Sequence, residues 1–306
     1  MFRHLLGRWI QASFSVVLLG LFLFFLMRML PGKPYDTEMN ATQEIQAALK
    51  QRHGLNESLS KQLQKTILQW LSGDLGVSFQ YAEHQVTSII AKALPISLSL
   101  GGCALILSFL LGVSIGLWNA SRPCLIAKIA MNLSLLGLVV PNYLLSGLLI
   151  FCFALKWHLL PAALWEEPCS AILPTLTLAF KPMGTIALTT QACMKEILTQ
   201  DYIRTARSQG ISSRKILFKY GLKNALTPLL SLLASTAPSL LSGSFLVETI
   251  FQIPGMGQHF VQAIFQRDYP FILGSIAVFG IILILCHFLC EMLMPLADPR
   301  IRWKKS

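Results

Sequence analysis

The stretch Leu94–Trp118, LPISLSLGGCALILSFLLGVSIGLW, contains no charged side chain. A membrane-spanning helix needs about 20 mostly apolar residues, so this stretch is long enough to cross a bilayer. Five further runs are mostly apolar and of similar length: Trp9–Met29, Ile129–Leu155, Ala171–Cys193, Leu226–Phe251 and Phe271–Met294. Because backbone groups in hydrocarbon must pair within their own segment, helices are the expected structure. The sequence therefore predicts an all-α polytopic membrane protein with six transmembrane helices.

The composition of the whole chain fits this prediction. Apolar residues make up 54% of the 306 residues and charged residues only 13%, about half of the roughly 25% usual in soluble domains. This excludes a disordered chain and argues against a soluble enzyme. The 7 cysteines form no CxxC pair, so we expect small buried side chains rather than a disulfide framework or a zinc site.

The distribution of basic residues predicts the orientation of the chain. A net charge of +11 would suggest a nucleic-acid partner in a soluble protein. Here Lys and Arg gather at both chain ends and in the loops after the second and fourth predicted helices. The short loops on the other side carry only Lys156 and Arg267. By the positive-inside rule both termini are expected to be cytoplasmic, so much of the charge is a topology signal and nucleic acid drops out as a partner.

The predicted spans divide the chain into four parts. They are the cytoplasmic N-terminus with the first helix (1–30), an external loop expected to form a small cap (31–93), a five-helix core (94–295) and a basic cytoplasmic tail (296–306). Two short amphipathic helices, Glu44–Gln51 and Ser60–Leu71, are expected within the cap.

The common catalytic motifs are absent from the sequence. There is no G-x-x-x-x-G-K-[ST] loop to cradle ATP phosphates, and no HExxH, GxSxG or paired metal-ligand spacing. We therefore expect a non-catalytic chain without a cofactor or metal of its own.

One charge stands inside a predicted span. Lys181 lies about halfway along the fourth predicted helix, next to Pro182. A charge at that depth is costly, so Lys181 either lines a path for an anionic or zwitterionic solute or pairs with a backbone carbonyl or an acid of another subunit. Pro182 is either a tolerated kink or a point of flexure beside a path.

The loop between the fourth and fifth predicted helices, 194–227, reads MKEILTQDYIRTARSQGISSRKILFKYGLKNALT. Asp201 is expected to cap a short helix that Gly210 ends, and Ser212 or Ser213 to cap a second. The loop is either a basic amphipathic stretch on anionic lipid or a knob that docks into a groove of a cytoplasmic partner.

This loop resembles that of the inner-membrane permease subunits of bacterial ABC importers. The family's loop reads Glu-Ala-Ala, three residues and Gly. Here the same places hold Arg204-Thr205-Ala206 and Gly210, and Arg-Thr-Ala is common in the oligopeptide/dipeptide branch, in its first-permease members. Further short motifs extend the resemblance over nearly the whole chain: Leu30–Pro34, Gly73–Ser78, Glu248–Phe251, Pro254–Gly257, Arg267–Pro270 and Asp298–Arg300.

The resemblance implies a type I ABC importer permease fold in the bacterial inner membrane. It implies a non-catalytic subunit that forms half of a translocation path for di- or oligopeptides. Its partners would be a second, similar permease in a heterodimer, two ATPase subunits that hold ATP and Mg, and an external solute-binding protein. The residues that would dock on an ATPase subunit are Asp201, Tyr202, Arg204, Thr205, Ala206, Arg207 and Gly210.

Two points stay open at this stage. Leu188 and Gln191 stand where the branch often has arginines, which leaves the charge of the inner mouth undefined. The same architecture could import another solute, such as nickel or glutathione. A stand-alone secondary transporter is the rival class, but such transporters usually show inverted repeats, and we find no convincing repeat between the halves.

Overall fold

The computed structural model describes residues 2–29, 57–80, 84–122 and 124–297, which are helical apart from loops and one isolated bridge between Val77 and Gln85. The α-helices are α1 (Phe2–Met29), α2 (Leu59–Leu71), α3 (Val86–Ser121), α4 (Leu125–Val139), α5 (Asn142–Leu149), α6 (Ile172–Leu198), α7 (Asp201–Ser208), α8 (Ser213–Lys215), α9 (Lys223–Leu241), α10 (Phe245–Ile250), α11 (Met256–Gln266) and α12 (Tyr269–Ala297). A π-helical segment, Ile150–Lys156, continues α5, a second one, Ile216–Leu222, joins α8 to α9, and a 3-10 turn, Pro168–Ala171, precedes α6.

Four helical stretches of the described residues are long and apolar enough to cross a membrane: Val86–Ser121, Pro168–Leu198, Ser213–Ile250 and Tyr269–Cys290. They coincide with the second, fourth, fifth and sixth predicted spans. The pair Leu125–Val139 and Asn142–Lys156 makes a fifth if it is counted as one span. The first predicted span lies in α1, where Ser13–Phe22 forms a shorter apolar segment.

The third predicted span, Ile129–Leu155, is not one straight helix. Its two halves are bent by 119° at a break around Val140 and Pro141. Val140 has a ψ of 119°, in the extended region, because the ring of a following proline disfavours helical backbone at the residue before it. Pro141 then provides the N-cap position of α5. The apolar run gave the correct extent, but a continuous helix was the wrong geometry.

Glycines bring α6 very close to two neighbouring helices. A Cβ atom on Gly116 of α3 would lie 2.5 Å from the carbonyl oxygen of Ala187, and one on Gly112, one turn earlier, 2.8 Å from that of Met183. Gly137 on α4 and Gly184 on α6 approach the opposite backbone to 2.4 and 2.3 Å by the same measure. Small residues four apart allow such packing in membranes, where burial of apolar surface alone does not hold helices together. The α6 helix is therefore the centre of the core.

One end of the bundle is fastened by a buried carboxylate. Asp268 caps α12 by accepting a hydrogen bond from the N–H of Phe271 at 3.3 Å. It also accepts bonds from the N–H of Phe79, at 3.1 Å, and from the hydroxyl of Ser78. Two motifs that carry the family resemblance, Gly73–Ser78 and Arg267–Pro270, therefore meet in space.

The predicted cap is described only in part. The expected helix Ser60–Leu71 is present as α2, and its Leu63 packs on a core cluster that also contains Phe24 of α1 and Val86 of α3. The expected helix Glu44–Gln51 and the motifs Leu30–Pro34 and Asp298–Arg300 lie outside the described residues.

Candidate functional site: the loop helix and the polar faces of α6 and α9

The loop after α6 contains the short helix that the sequence predicted. Gln200, with extended backbone at ψ 150°, occupies the N-cap position, and Asp201 is the first residue of α7. The predicted cap is therefore wrong by one residue, because the extended backbone that a cap requires falls at Gln200. Asp201 still lies where a negative charge suits the helix dipole. Its contact with Arg204, at 3.5 Å, joins two highly exposed side chains and contributes little to stability.

Gly210 ends α7 as predicted. Its φ is +75°, a left-handed conformation that L side chains rarely adopt, and a Cβ atom there would meet no other atom within 4 Å. Two bonds close the helix end: the N–H of Gly210 donates to the carbonyl of Arg207 at 3.0 Å, and that of Ile211 to Ala206 at 3.1 Å. This is the usual glycine-terminated helix end, so the turn needs glycine for its backbone and not for space.

The α7 helix has an inward and an outward face. Ile203 and Ala206 are buried in a small cluster with Ile216. Ala206, a predicted docking residue, is therefore part of the support of the helix rather than of its free surface. The outward face carries the other polar side chains predicted for docking: Asp201, Tyr202, Arg204, Thr205 and Arg207.

The segment after Gly210 is not a separate second helix. Ser212 has extended backbone before α8, as expected of a cap, but its side chain makes no capping bond. The chain then runs through the π-helical segment directly into α9. A hydrogen bond of 3.0 Å from Asn224 to the hydroxyl of Tyr202 links α7 to the start of α9. The loop helix is therefore attached to the fifth span.

The fourth predicted span, Ala171–Cys193, contains one charged residue, Lys181. Lys181 is exposed on α6 and Pro182 is buried. Its ammonium group forms neither an ion pair nor a hydrogen bond within the part of the chain that the structure describes. Leu188, two turns later, is 44% exposed on the same helix. The sequence left open a pairing of Lys181 with a backbone carbonyl or with an acid of another subunit. Pairing with a carbonyl is not seen among the described residues.

The fifth span has a polar exposed face, which the sequence reasoning missed. The exposed residues of α9 beyond Lys223 are Asn224, Pro228, Ser231, Ser235 and Ser239. No large apolar side chain is exposed between Phe218 and Phe245, whereas α3 exposes Ile106, Leu110 and Leu111. Serines four residues apart share a helix face, and that spacing was the available signal. Each of these serine hydroxyls donates a hydrogen bond to a backbone carbonyl of the same helix.

Amide side chains connect the C-terminal parts of α3 and α6. Gln191 donates to the side-chain oxygen of Asn119 at 2.5 Å, and Asn119 donates to the carbonyl of Ala127 at 2.9 Å. Gln191 is therefore part of a neutral network among α3, α4 and α6.

A second buried carboxylate was also missed as a structural centre. Glu248 is fully buried and accepts hydrogen bonds from the hydroxyl of Ser97 at 2.9 Å and the N–H of Gly257 at 2.7 Å. The N–H of Met256 donates to the same serine oxygen at 2.8 Å. A Cβ atom on Gly255 would lie 2.5 Å from the carboxylate, so this position must be glycine. From the sequence, the motifs Glu248–Phe251 and Pro254–Gly257 supported only the family resemblance, because spacing alone cannot show that they meet.

A half-buried imidazole, that of His259, lies on α11. Burial lowers the pKa of His259 from its ordinary value of 6.5. Its Nδ1 atom has no hydrogen-bond partner among the described residues, and its ring lies 6.2 Å from that of Phe271. His259 is therefore neutral at pH 7.

Among the described residues no group of three or more His, Cys, Asp or Glu side chains is arranged to hold a metal ion.

The model for the family described as binding-protein-dependent transport system inner membrane component matches residues 108–303. The chain belongs to this family.

This family member has relatives that match it from end to end. The dipeptide transport system permease protein DppB of Bacillus subtilis is 37% identical over 307 residues, with 100% of both chains covered. The oligopeptide transport system permease protein OppB of Escherichia coli K12 is 33% identical, with 99% of this chain and 100% of that one covered.

Solved structures agree with the family at the level of the fold. A chain of the MetNI methionine ABC transporter in an inward-facing conformation matches with a TM-score of 0.55 and 18% identity, covering 69% of this chain and 97% of that one. A chain of an amino acid ABC transporter matches with a TM-score of 0.53, covering 68% and 94%. At such identity the likeness shows a shared fold alone.

Proposed function

We propose that the chain is a permease subunit of an ATP-driven ABC importer and forms half of a translocation path for di- or oligopeptides. The observation that carries the proposal is the end-to-end similarity to dipeptide and oligopeptide permeases, together with membership of the binding-protein-dependent family. The chain itself would be non-catalytic, with ATP and Mg held by partner subunits.

In this proposal α1 also crosses the membrane, which brings the number of transmembrane helices to six, and both termini are cytoplasmic. Support comes from the helical course of Phe2–Met29 and from the basic residues at both chain ends. The segment around α2 would then be the external cap, on the side opposite α7. The protein would be a multi-pass component of the bacterial inner membrane.

The outward face of α7 would dock into a groove on an ATPase subunit. Two contacts support this role: Ile203 on the inward face packs against Ile216, and the hydroxyl of Tyr202 accepts a hydrogen bond from Asn224. A displacement of α7 would therefore reach α9 through side-chain contacts as well as through the backbone. Closure of the ATPase subunits would rock the membrane helices between inward and outward access by rigid-body motion.

The translocation path would run along the polar faces of α6 and α9. Lys181 and the serine face of α9 are exposed on span helices, and the Lys181 ammonium group has no partner among the described residues. Polar groups at that depth are expected to face water or another subunit. A second, similar permease would supply the other half of the path in a heterodimer, with Pro182 as a point of flexure, and an external solute-binding protein would deliver the peptide.

Co-purification from the native membrane in mild detergent, followed by mass spectrometry, tests the proposal. We expect ATPase subunits and a second permease to accompany the chain. The double variant Arg204→Glu/Arg207→Glu should lose the ATPase subunits and keep the second permease. A matched charge reversal on α2, Lys61→Glu/Lys65→Glu, should keep both. Recovery of the chain alone, from a detergent in which a control importer stays intact, would favour a stand-alone transporter.

Uptake of a labelled dipeptide into cells tests the substrate. We expect uptake to depend on this chain and to be competed by other di- and oligopeptides. Uptake of nickel or glutathione, with no competition by peptides, would assign the same architecture to a different cargo.

A further inference from the structure

The segment that joins the loop helix to the fifth span carries a dense group of exposed positive charges. Arg214, Lys215, Lys219 and Lys223 are all exposed, and between them Phe218 exposes 61% of its surface. We call these five residues the basic face. None of the four cations forms an ion pair within the described ranges of the chain. The face has no place in the proposed docking of α7.

The basic face points away from α7. The side of this segment that α7 covers is marked by Ile216, which is buried against Ile203 and Ala206. Arg214 and Phe218 each lie two residues from Ile216, and residues two apart on a helix do not share a face. Arg214 and Phe218 are four apart, so they are neighbours on the outer side, and Lys215, Lys219 and Lys223 are exposed along the same segment. A partner seated on α7 would therefore leave Arg214 and Phe218 free.

The basic face also lies at the entrance to the membrane. The helical stretch Ser213–Ile250 is long and apolar enough to cross a membrane, and the basic face lies at its start, before the apolar run Leu226–Phe251. Long basic side chains at such a position extend their charges to the head-group level. An aromatic side chain among them suits the boundary between head groups and acyl chains.

We propose that the basic face binds anionic phospholipid head groups, with Phe218 inserted beside the acyl chains. Clusters of Lys and Arg next to a spanning helix attract anionic lipid electrostatically, and this attraction is screened by salt. The occupant is a lipid rather than a second protein because the face combines unpaired charges with one exposed aromatic at the membrane boundary. This inference is independent of the transported solute.

Binding of phosphatidylglycerol with a fluorescent acyl chain to the purified full-length chain in dodecyl maltoside tests this inference. Anisotropy should report binding that unlabelled phosphatidylglycerol displaces at least tenfold better than phosphatidylcholine. Raising NaCl from about 50 to about 500 mM should weaken it severalfold. Equal displacement by the two lipids would overturn the proposal without any mutation.

Two matched variants locate the site. Arg214→Gln/Lys215→Gln/Lys219→Gln should weaken phosphatidylglycerol binding at least tenfold. Lys61→Gln/Lys65→Gln/Lys156→Gln, which removes three exposed charges elsewhere, should change it less than twofold. Equal losses in both variants would mean that net charge alone attracts the lipid. Unchanged lipid binding with loss of co-purified ATPase subunits would make the face a protein interface, and either result overturns the proposal.

Discussion

Ser97 of α3 and Glu248 of α10, which lie 151 positions apart in sequence, form a buried hydrogen bond of 2.9 Å. The same carboxylate accepts bonds from two backbone N–H groups at the start of α11, those of Gly257 and Gln258. A carboxylate with these donors at a helix N-terminus needs no cation beside it. This centre holds the turn after the fifth span against the second span.

Removal of this carboxylate should destabilise the chain strongly. Glu248→Ala leaves buried donors without an acceptor, at about 1–3 kcal/mol for each. We expect a markedly lower melting temperature, which fluorescence size-exclusion chromatography of heated samples in detergent measures. Glu248→Gln keeps one acceptor oxygen and should be milder. Thr249→Ala, at the exposed neighbouring position, is the control, and a loss as large as that of Glu248→Ala would contradict the explanation.

The glycines between α3 and α6 should be equally sensitive. Gly116→Leu must push α6 away, because even a Cβ atom would lie 2.5 Å from the carbonyl oxygen of Ala187. We expect aggregation or loss of the monodisperse peak in detergent. Gly102→Leu is the matched control on the same helix, since a Cβ atom there meets nothing within 4 Å. Similar behaviour of the two variants would mean that the close approach is unimportant.

Below pH 6.5 the half-buried imidazole of His259 should make stability depend on pH. Because the pKa of His259 is lowered in the folded state, the unfolded chain binds more protons as the pH falls below 6.5. Stability should therefore be unaffected by this group above that value and should decline below it. Melting temperatures of wild type and His259→Gln between pH 8 and 5 measure this. The variant should lose part of the decline, and parallel curves would contradict the assignment.

Local chemistry explains what the sequence could predict. The apolar runs located the spans because the bilayer imposes length and composition, and Gly210 marked the end of α7 because few other residues adopt its backbone conformation. The bend at Pro141 was readable in principle, since the proline lies inside the third run. The contacts of Ser97 with Glu248 and of Ser78 with Asp268 were not readable, because they join segments far apart in the chain.

Exposure on a span helix could not be derived from the pattern either. Serines on α9 have the same spacing whether they face a neighbouring helix or open space, and only packing decides between the two. Likewise, the position of Lys181 gave its depth but not the side of α6 on which it lies.

The turn at Gly210 should be needed for coupling and not for insertion. Gly210→Val places a β-branched residue in a left-handed conformation, at about 1–2 kcal/mol, so α7 should end differently and transmit less displacement. We expect normal membrane levels and strongly reduced uptake of labelled peptide. Gly73→Val is a matched control, because Gly73 also has positive φ, +77°, with no atom near its Cβ position. Equal loss of uptake in both variants would attribute the effect to backbone strain in general.

Lys181 should affect transport more than assembly. Its ammonium group is exposed on α6 and has no partner among the residues that the structure describes, so Lys181→Ala breaks no contact seen within the chain. If the charge attracts the carboxylate of a peptide along the path, uptake should fall severalfold while co-purification of the second permease stays unchanged. Lys181→Arg keeps the positive charge and should retain most of the uptake.

The competing role of Lys181 is a pairing with an acid of the second permease, and the same variants distinguish it. In that case Lys181→Ala would leave an acid unpaired at the interface, and the second permease would be lost from the purified complex. Concentration series with a dipeptide and with its C-terminal amide add a further test. A path charge should favour the free carboxylate in wild type and lose that preference in Lys181→Ala. Retention of the preference by the variant would place the selective charge elsewhere.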